Sequence, residues 1–425
     1  MASHPQPDGA PSIGLRTPQD LWRYVDRFSA NLPARPVNLV KRPPGQTDVV
    51  LITGTTGGFG CDALEHLLRD ETVQLVYAFN RKDSHALERQ RKQFAARGLD
   101  SSLLDTSKFR MVEAVLHEPG FGIDAEVLEE IRTSVTHIIL NAWTVNFNRP
   151  ITSFEEDIQG VRNSMDLALS SPFTNAPAVI FVGSITVFCN WKMAGPVPEI
   201  PIDDPASSFG MGYAESKWVS ERILQNVALE RGAHTVVVRV GQIEGDRMGH
   251  WNEREWFPSL VKSALFQKCL PKQDKTVAWV PSYEAARALV EMRHSLDPII
   301  HLVHPRPVPW DTIMVPIARE LNVPLVPYTA WLSALEGSIA SERGSTKEVQ
   351  AMRLNRALRL LPLFKDHCKK MERMPERDAI GFVFLGMDKA MRVSKSLASL
   401  PQLDGERAML WLAAWRKSGF LSLQE

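Results

Sequence analysis

Tyr213 and Lys217 stand four residues apart in Gly212-Tyr213-Ala214-Glu215-Ser216-Lys217. On a helix, positions i and i+4 project from one face, so a phenol and an ammonium converge on one site. The pairing has a chemical use. A tyrosine hydroxyl with a pKa of about 10 is a poor proton-transfer group at neutral pH. A neighbouring ammonium stabilises the phenolate and brings that pKa toward the working range. The same amine can bond the ribose of a nucleotide cofactor. A third hydroxyl, within reach of a substrate carbonyl, is expected in Phe181-Val182-Gly183-Ser184-Ile185-Thr186-Val187. Ser184 is the first choice there and Thr186 the reserve, with capping of the strand end as the plainer role for either.

A second chemical signal is Thr53-Gly54-Thr55-Thr56-Gly57-Gly58-Phe59-Gly60. Its GxxGxxG spacing lies between a predicted strand and a predicted helix. Gly54 permits a tight turn, Gly57 lets the backbone approach a pyrophosphate, and Gly60 lets the helix pack close to the strand. The helix N-terminus then offers free N–H groups and a positive dipole end to phosphates. In this context the turn reads as a dinucleotide-binding loop, with Thr53, Gly54, Thr56, Gly57, Gly58, Phe59 and Gly60 as its contacts. The second strand runs into Asn80-Arg81-Lys82, with no acid at its tip to bond a ribose 2′-hydroxyl. Arg81 is instead suited to clasp the 2′-phosphate of NADPH. Residues 81–97 hold six Lys/Arg against two acids. Of these cations Arg89, Arg91, Lys92 and Arg97 read as a solvated helix face. Asn141 and Ala142, at the end of the fourth strand, are expected to approach the nicotinamide side.

The elements that must position these groups are legible as alternating periods. Strands are predicted at DVVLITG, VQLVYAF, FRMVEAVL (109–116), THIILNAW, PAVIFVGS and HTVVVRVG, with helical stretches between them, and a further strand near IIHLVHP. That rhythm specifies an α/β fold, a Rossmann-like doubly wound parallel sheet with right-handed crossovers. After about residue 245 the rhythm breaks and the chain becomes mostly helical. The expected division is a flexible leader and N-terminal arm at 1–46, an NADPH-binding domain at 47–250, and a smaller, mainly helical substrate domain at 251–425, with some interleaving. Within the first segment, residues 1–15 read as the leader proper.

Composition narrows the function classes. The chain of 425 residues carries 49 basic and 49 acidic side chains, which argues against a general nucleic-acid binder. No apolar run approaches a membrane span and no signal-peptide core is present. Four scattered cysteines form no CxxC pair, so a reducing, cytoplasmic setting is expected, without disulfide framework or zinc site. His301 and His304 have no third ligand in view, and no metal is expected.

Together these motifs resemble the extended short-chain dehydrogenase/reductase family. They look most like the C-terminal thioester reductase domains of fungal NRPS-like and adenylate-forming reductases, including the carboxylic acid and aminoadipate types. The likeness rests on TGTTGGFG, the Asn-Arg after the second strand, LNAWTVNFN at 140–148, FVGSITVF, GYAESKWVSE, RVGQIEGD at 239–246 and the closing LWLAAWRKSGFL. It covers about residues 20–425, with one departure: Leu140 stands where many relatives carry a His. The resemblance implies NADPH as cofactor and, as partner, a carrier domain bearing an acyl thioester on phosphopantetheine. It implies reductive release as an aldehyde or onward to an alcohol, within secondary metabolism. Ser184 and Tyr213 would bond the oxyanion, and Lys217 would tune Tyr213 and grip the ribose. The adenylation and carrier domains of full-length relatives are not recognisable here, so an excised or stand-alone reductase meeting its carrier in trans is expected. Gly98-Leu99-Asp100-Ser101-Ser102-Leu103 mimics a carrier attachment motif but falls inside the nucleotide fold, so it reads as coincidental. The competing readings are an extended-family oxidoreductase or epimerase acting on a free small molecule, and a non-catalytic NADPH sensor. Trp143, Trp191, Trp218, Trp251 and Trp256 read either as core packing or as the lining of an acyl tunnel. Nothing marks Cys189 as activated.

Overall fold

The computed structural model describes residues 17–43, 45, 47–83, 85–340, 352–373 and 377–422. The expected leader at 1–15 lies outside the described residues. Seven parallel strands form the central sheet: β1 (Asp48–Thr53), β2 (Val73–Asn80), β3 (Phe109–Glu113), β4 (His137–Leu140), β5 (Ala178–Ser184), β6 (Thr235–Val240) and β7 (Ile299–Leu302). Their order across the sheet is β7-β6-β5-β4-β1-β2-β3. Runs such as AVIFVGS and TVVVRV are buried along their whole length, because helices cover both faces of a parallel sheet. The doubly wound fold expected from the sequence is therefore present, and the strand near IIHLVHP is its seventh member. The third strand stops at Glu113, short of the expected 116.

The strand order reverses between β1 and β4, which opens a crevice at their carboxyl ends. Helices α2 (Gly58–Arg69), α3 (Ala86–Ala96), α4 (Ala125–Arg132), α5 (Glu155–Ser170) and α6 (Gly212–Arg231) carry the chain between strands. The segment read as an arm contains an ordered helix, Asp20–Ser29, packed on α5 and α6. Leu21, Tyr24, Val25 and Phe28 recur at helical spacing and join the core beneath the sheet. Trp22 meets Trp218 edge-on at 5.1 Å. Arg162 clamps the helix end, donating to the carbonyls of Phe28 and Asn31 at 2.9 Å each.

Apolar packing forms two clusters. The first surrounds the sheet and also takes in Ala285–Val303 and residues 383–400, so the second half of the chain contributes to it. The second is built on tryptophans: Trp251, Trp279, Trp310, Trp331, Trp411 and Trp415 are all nearly or fully buried. Edge-on pairs such as Phe257–Trp279 at 4.6 Å and Trp251–Trp411 at 5.1 Å are the arrangement that ring quadrupoles favour. Two buried carboxylates join segments of the second half of the chain. Glu244 accepts from Arg407 Nε and Trp411 Nε1 at 2.6 Å. Glu199 accepts the backbone N–H groups of His301 and Ala390 at 3.0 Å.

Helix α6 is fixed to the sheet by a buried ion pair. Arg239 on β6 donates to Glu221 on α6 through Nη2 at 2.8 Å and Nε at 3.1 Å, with side-chain exposures of 0% and 2%. Arg239 Nη1 also donates to the carbonyl of Ile200 at 3.0 Å. Removing one partner strands the other charge in an apolar interior. Arg239→Met or Glu221→Leu alone is expected to lower unfolding stability by about 3–5 kcal/mol. The double variant should lie closer to wild type than either single one, as read from urea midpoints.

Candidate active site

The glycine turn is held from three sides. Thr53 ends β1, and its Oγ1 accepts the N–H groups of Asn141 and Ala142 at 3.0 and 2.8 Å. Asn141 Nδ2 donates back to the Thr53 carbonyl at 3.1 Å. Asn141 and Ala142 therefore clasp the turn itself. Gly54 has φ +75°, and a side chain there would begin 3.0 Å from Ala142 Cα. Gly60 lies so close under the turn that a Cβ would fall 2.1 Å from the Gly54 carbonyl oxygen. On the other flank Asn80, last in β2, accepts Thr56 N–H at 3.1 Å and donates to Thr55 Oγ1 at 2.7 Å. Gln90 of α3 completes the brace, donating to the Thr55 carbonyl at 2.9 Å.

This bracing leaves the N-terminus of α2 available. Gly57 precedes the helix and no side chain caps it. The first helical bond is Cys61 N–H to the Gly57 carbonyl, at 2.8 Å. The N–H groups of Gly58, Phe59 and Gly60 thus have no acceptor within the helix. Gly57 and Gly58 are exposed and Thr56 and Phe59 half-buried. An uncapped N-terminus behind a glycine turn fits the pyrophosphate of a dinucleotide. Arg81 follows β2, is exposed, and makes no hydrogen bond or ion pair among the described residues.

One reading of the basic stretch needs correction. Arg89 and Arg91 pair with Asp83 and Asp105 near the surface. Arg97 is no part of a solvated face. It is largely buried, donates to Asp62 Oδ1 at 3.0 Å and Ser282 Oγ at 3.0 Å, and lies 3.5 Å from Asp246. Its guanidinium covers Gly58, 3.0 Å from where a Cβ would sit. The helical period alone could not reveal two acids arriving from α2 and from the chain beyond β6.

The three hydroxyl and amine groups meet at the carboxyl end of β5. Ser184 ends that strand and is buried; its Oγ accepts from Thr186 N–H at 3.2 Å and Thr186 Oγ1 at 3.0 Å. Thr186 therefore orients Ser184. Tyr213 opens α6, has Ser184 beside its hydroxyl, and packs against Phe147 at 5.0 Å between ring centroids. Lys217, one turn on, is 2% exposed. Its Nζ donates to the Val182 carbonyl at 2.8 Å and sits 3.9 Å over the Trp143 ring. The ammonium lies 5.8 Å from the Tyr213 ring centroid.

The electrostatics differ from the sequence expectation. Burial pushes the Tyr213 pKa up to about 12, with the Ser184 hydrogen bond opposing and Asp157 adding to the rise. Burial pushes Lys217 down to about 7, against the attraction of Asp157 and Glu221. In this arrangement the lysine does not lower the phenol. Tyr213 is a neutral donor, which suits bonding to a developing oxyanion. Asp157, half-buried on α5, is held by Thr144 N–H at 3.2 Å. The sequence reading passed over Asp157, Asn80, Gln90 and the Glu221–Arg239 pair. Asn80 is visible in sequence as the residue standing where an acid would end β2, Arg239 as the first residue of RVGQIEGD, and Glu221 by its i+4 spacing from Lys217.

The remaining expectations fall as follows. Trp218 and Trp251 are core residues, and Trp256 donates to Gln242 Oε1 at 2.9 Å. Trp191 packs on Phe188 at 5.6 Å, and Trp143 alone of the five touches Lys217. His301 and His304 are bonded to the carbonyls of Gly386 and Pro401 at 2.8 Å each. Asp48, His137 and His294 approach one another at the opposite, amino-terminal edge of the sheet, where Arg293 already bonds Asp48 at 3.1 Å. Burial raises Cys189 to about 11, so its thiol stays protonated. Ser102 of the carrier-like segment is tied to Asp100 at 2.5 Å. No helix among the described residues is long and apolar enough to cross a membrane.

The chain is similar to several known proteins. An NAD-binding family profile described as "Male sterility protein" matches residues 52–289. Adenylate-forming reductase Nps10 of Heterobasidion annosum is 39% identical over 96% of this chain and 38% of its own length. A carboxylic acid reductase of Neurospora crassa is 30% identical over 92% of this chain and 37% of its own. The chain thus spans under two fifths of each. Among solved structures, the terminal R domain from the myxalamid PKS-NRPS pathway superposes with a TM-score of 0.74 at 23% identity, covering 94% of this chain and 99% of that one. A thiolation-reductase di-domain from an archaeal non-ribosomal peptide synthetase gives 0.70 at 14% identity, covering 95% and 81%. At these identities the superpositions speak for the fold.

The lysine environment makes a stability prediction. The folded pKa of Lys217, about 7, lies below its ordinary value of 10.5. Between those values the unfolded chain binds the extra proton, so wild-type stability gains with rising pH across that window. Lys217→Met removes this dependence. The variant is expected to be more stable than wild type near neutrality, with its advantage shrinking toward pH 10, as measured by urea unfolding across that range.

Proposed function

The chain belongs to the NAD-binding family described as Male sterility protein, and from that premise we propose that it is an NADPH-dependent thioester reductase domain. Its substrate is an acyl group held as a thioester on the phosphopantetheine arm of a carrier domain, and its product an aldehyde. The observation that carries this reading is the adjacent pair of hydroxyls, Ser184 and Tyr213, beside Lys217 at the carboxyl end of β5. The relatives named as adenylate-forming and carboxylic acid reductases support the reaction class. The thiolation-reductase di-domain supports the kind of partner.

The residues act in sequence. The uncapped start of α2 holds the pyrophosphate, and Arg81 meets the 2′-phosphate, favouring NADPH over NADH. The nicotinamide cofactor supplies the hydride that reaches the thioester carbonyl carbon. As that carbon becomes tetrahedral, Tyr213 and Ser184 donate hydrogen bonds to the oxygen that takes up the charge. Both donors are fixed before reaction, Ser184 by Thr186 and Tyr213 by its ring contacts. Lys217 leaves the Val182 carbonyl to grip the ribose, bringing its charge toward Tyr213. Collapse of the tetrahedral centre breaks the C–S bond, and the pantetheine thiol departs with a proton. After the spent cofactor is exchanged for a second NADPH, an aldehyde that remains in the site would take up a hydride and a proton and leave as an alcohol.

The test is NADPH consumption with an acyl-pantetheine thioester, with the product identified. One equivalent gives aldehyde and two give alcohol; absence of turnover with any thioester, beside turnover of a free ketone or sugar nucleotide, would sink the reading. Tyr213→Phe is expected to lower kcat by about a hundredfold or more, with NADPH affinity kept. Arg81→Ala should weaken NADPH by about tenfold or more while leaving NADH unchanged.

A further inference from the structure

Two hollows are candidates for a ligand. The larger, about 620 Å³, lies between Tyr283–Glu291 and Lys395–Arg407; none of Ser184, Tyr213 and Lys217 lines it or the smaller one. The smaller, about 240 Å³, is walled by Ile185, Trp279, Val303, Val383 and Leu385. Ile185 directly follows Ser184, and Val303 directly follows β7, so this cavity opens from the same sheet edge as the hydroxyl pair. Its volume equals about eight waters at roughly 30 Å³ each. At organic packing density that holds about ten non-hydrogen atoms.

Three polar side chains also line it: Gln242, His304 and Asp378. The first two are committed elsewhere. Gln242 donates to the Ile243 carbonyl at 2.7 Å and to Glu255 at 3.1 Å, and accepts from Trp256 at 2.9 Å. His304 bonds the Pro401 carbonyl at 2.8 Å through Nε2 and accepts Arg306 N–H at 3.1 Å through Nδ1. Asp378 is different. Its Oδ1 accepts the N–H groups of Ile380 and Phe382 at 3.0 and 2.8 Å, while Oδ2 has no partner among the described residues. The residue is 8% exposed. With no partner among the described residues and with access to the hollow, that oxygen is open to a hydrogen bond from a ligand.

Resting on the thioester-reductase reading, we propose that this cavity seats the acyl group of the substrate. The group is compact and mostly apolar, and it carries a hydroxyl or amino substituent that hydrogen-bonds to Asp378 Oδ2. Asp378 thereby selects the substrate, apart from the groups that reduce it. Long fatty acyl chains exceed the space.

Binding and turnover test this separately. Titration calorimetry with NADPH present would compare benzamide with its ortho, meta and para hydroxy isomers. At least one isomer should bind about tenfold tighter than benzamide, the worth of one well-made hydrogen bond. Asp378→Ala should erase that preference while leaving benzamide within about twofold. Asp378→Asn keeps Oδ1 for the turn, and should change which isomer is preferred even if the alanine variant folds poorly. Leu385→Trp, which fills the hollow, should abolish binding of all four. Equal binding of benzamide and every isomer, or a preference that survives Asp378→Ala, would overturn the assignment. The matching pantetheine thioesters should show the same ranking in kcat/KM. Selective amide binding without turnover of any thioester would refute the reductase reading and leave the recognition by Asp378 standing.

Discussion

The Glu221–Arg239 pair is the constraint on which the rest of the site depends. Two full charges sit at the interface between α6 and β6, almost wholly out of water. Such a pair is weak evidence for stability, since desolvation offsets much of the attraction. Its value here is positional. Glu221 lies one helical turn beyond Lys217, and Lys217 one turn beyond Tyr213, so clamping the carboxylate fixes the rotation of α6 about its axis. With that rotation set, the phenol meets Ser184 and the ammonium meets Trp143 and Val182. A modest turn of the helix would part Tyr213 from Ser184.

The same logic governs the cofactor side. The glycines of the turn have no side chains to hold it in one conformation, so the restraint comes through Thr53 and Thr55. Here the restraint is borrowed from the neighbouring strands: Asn141 and Ala142 after β4, and Asn80 at the end of β2. None of these bracing groups caps α2, so its first N–H groups remain available. Preorganised donors of this kind need no rearrangement when an anion arrives.

Burial tunes the chemistry in a direction that residue types do not announce. Beside an ammonium, a phenol is expected to fall in pKa; inside this apolar pocket it rises, and the amine falls. Both shifts have one cause, the loss of water around whichever form is charged. The pocket therefore holds a neutral hydrogen-bond donor. That is the state useful for bonding an oxygen as it becomes negative.

Much of the fold was legible because the signals are local. Continuous apolar runs specify strands buried on both faces, the alternation with helices specifies a parallel sheet, and a glycine turn between a strand and a helix marks the crevice. Tyr213, Lys217, Ser184 and the turn residues could be named from spacing and type. What sequence could not supply were partners distant along the chain. Arg97 was read as solvent-facing because Asp62 and Asp246 arrive from elsewhere. The stretch around Trp22 is amphipathic in sequence, but the residue it packs on, Trp218, lies nearly two hundred positions away. Asn80 stood out only as the absence of an acid, and Asp378 carried no motif at all. A side chain's type and period are written in the sequence; whether it ends in water or in a low-dielectric interior, and beside which charge, is decided only when the chain closes on itself.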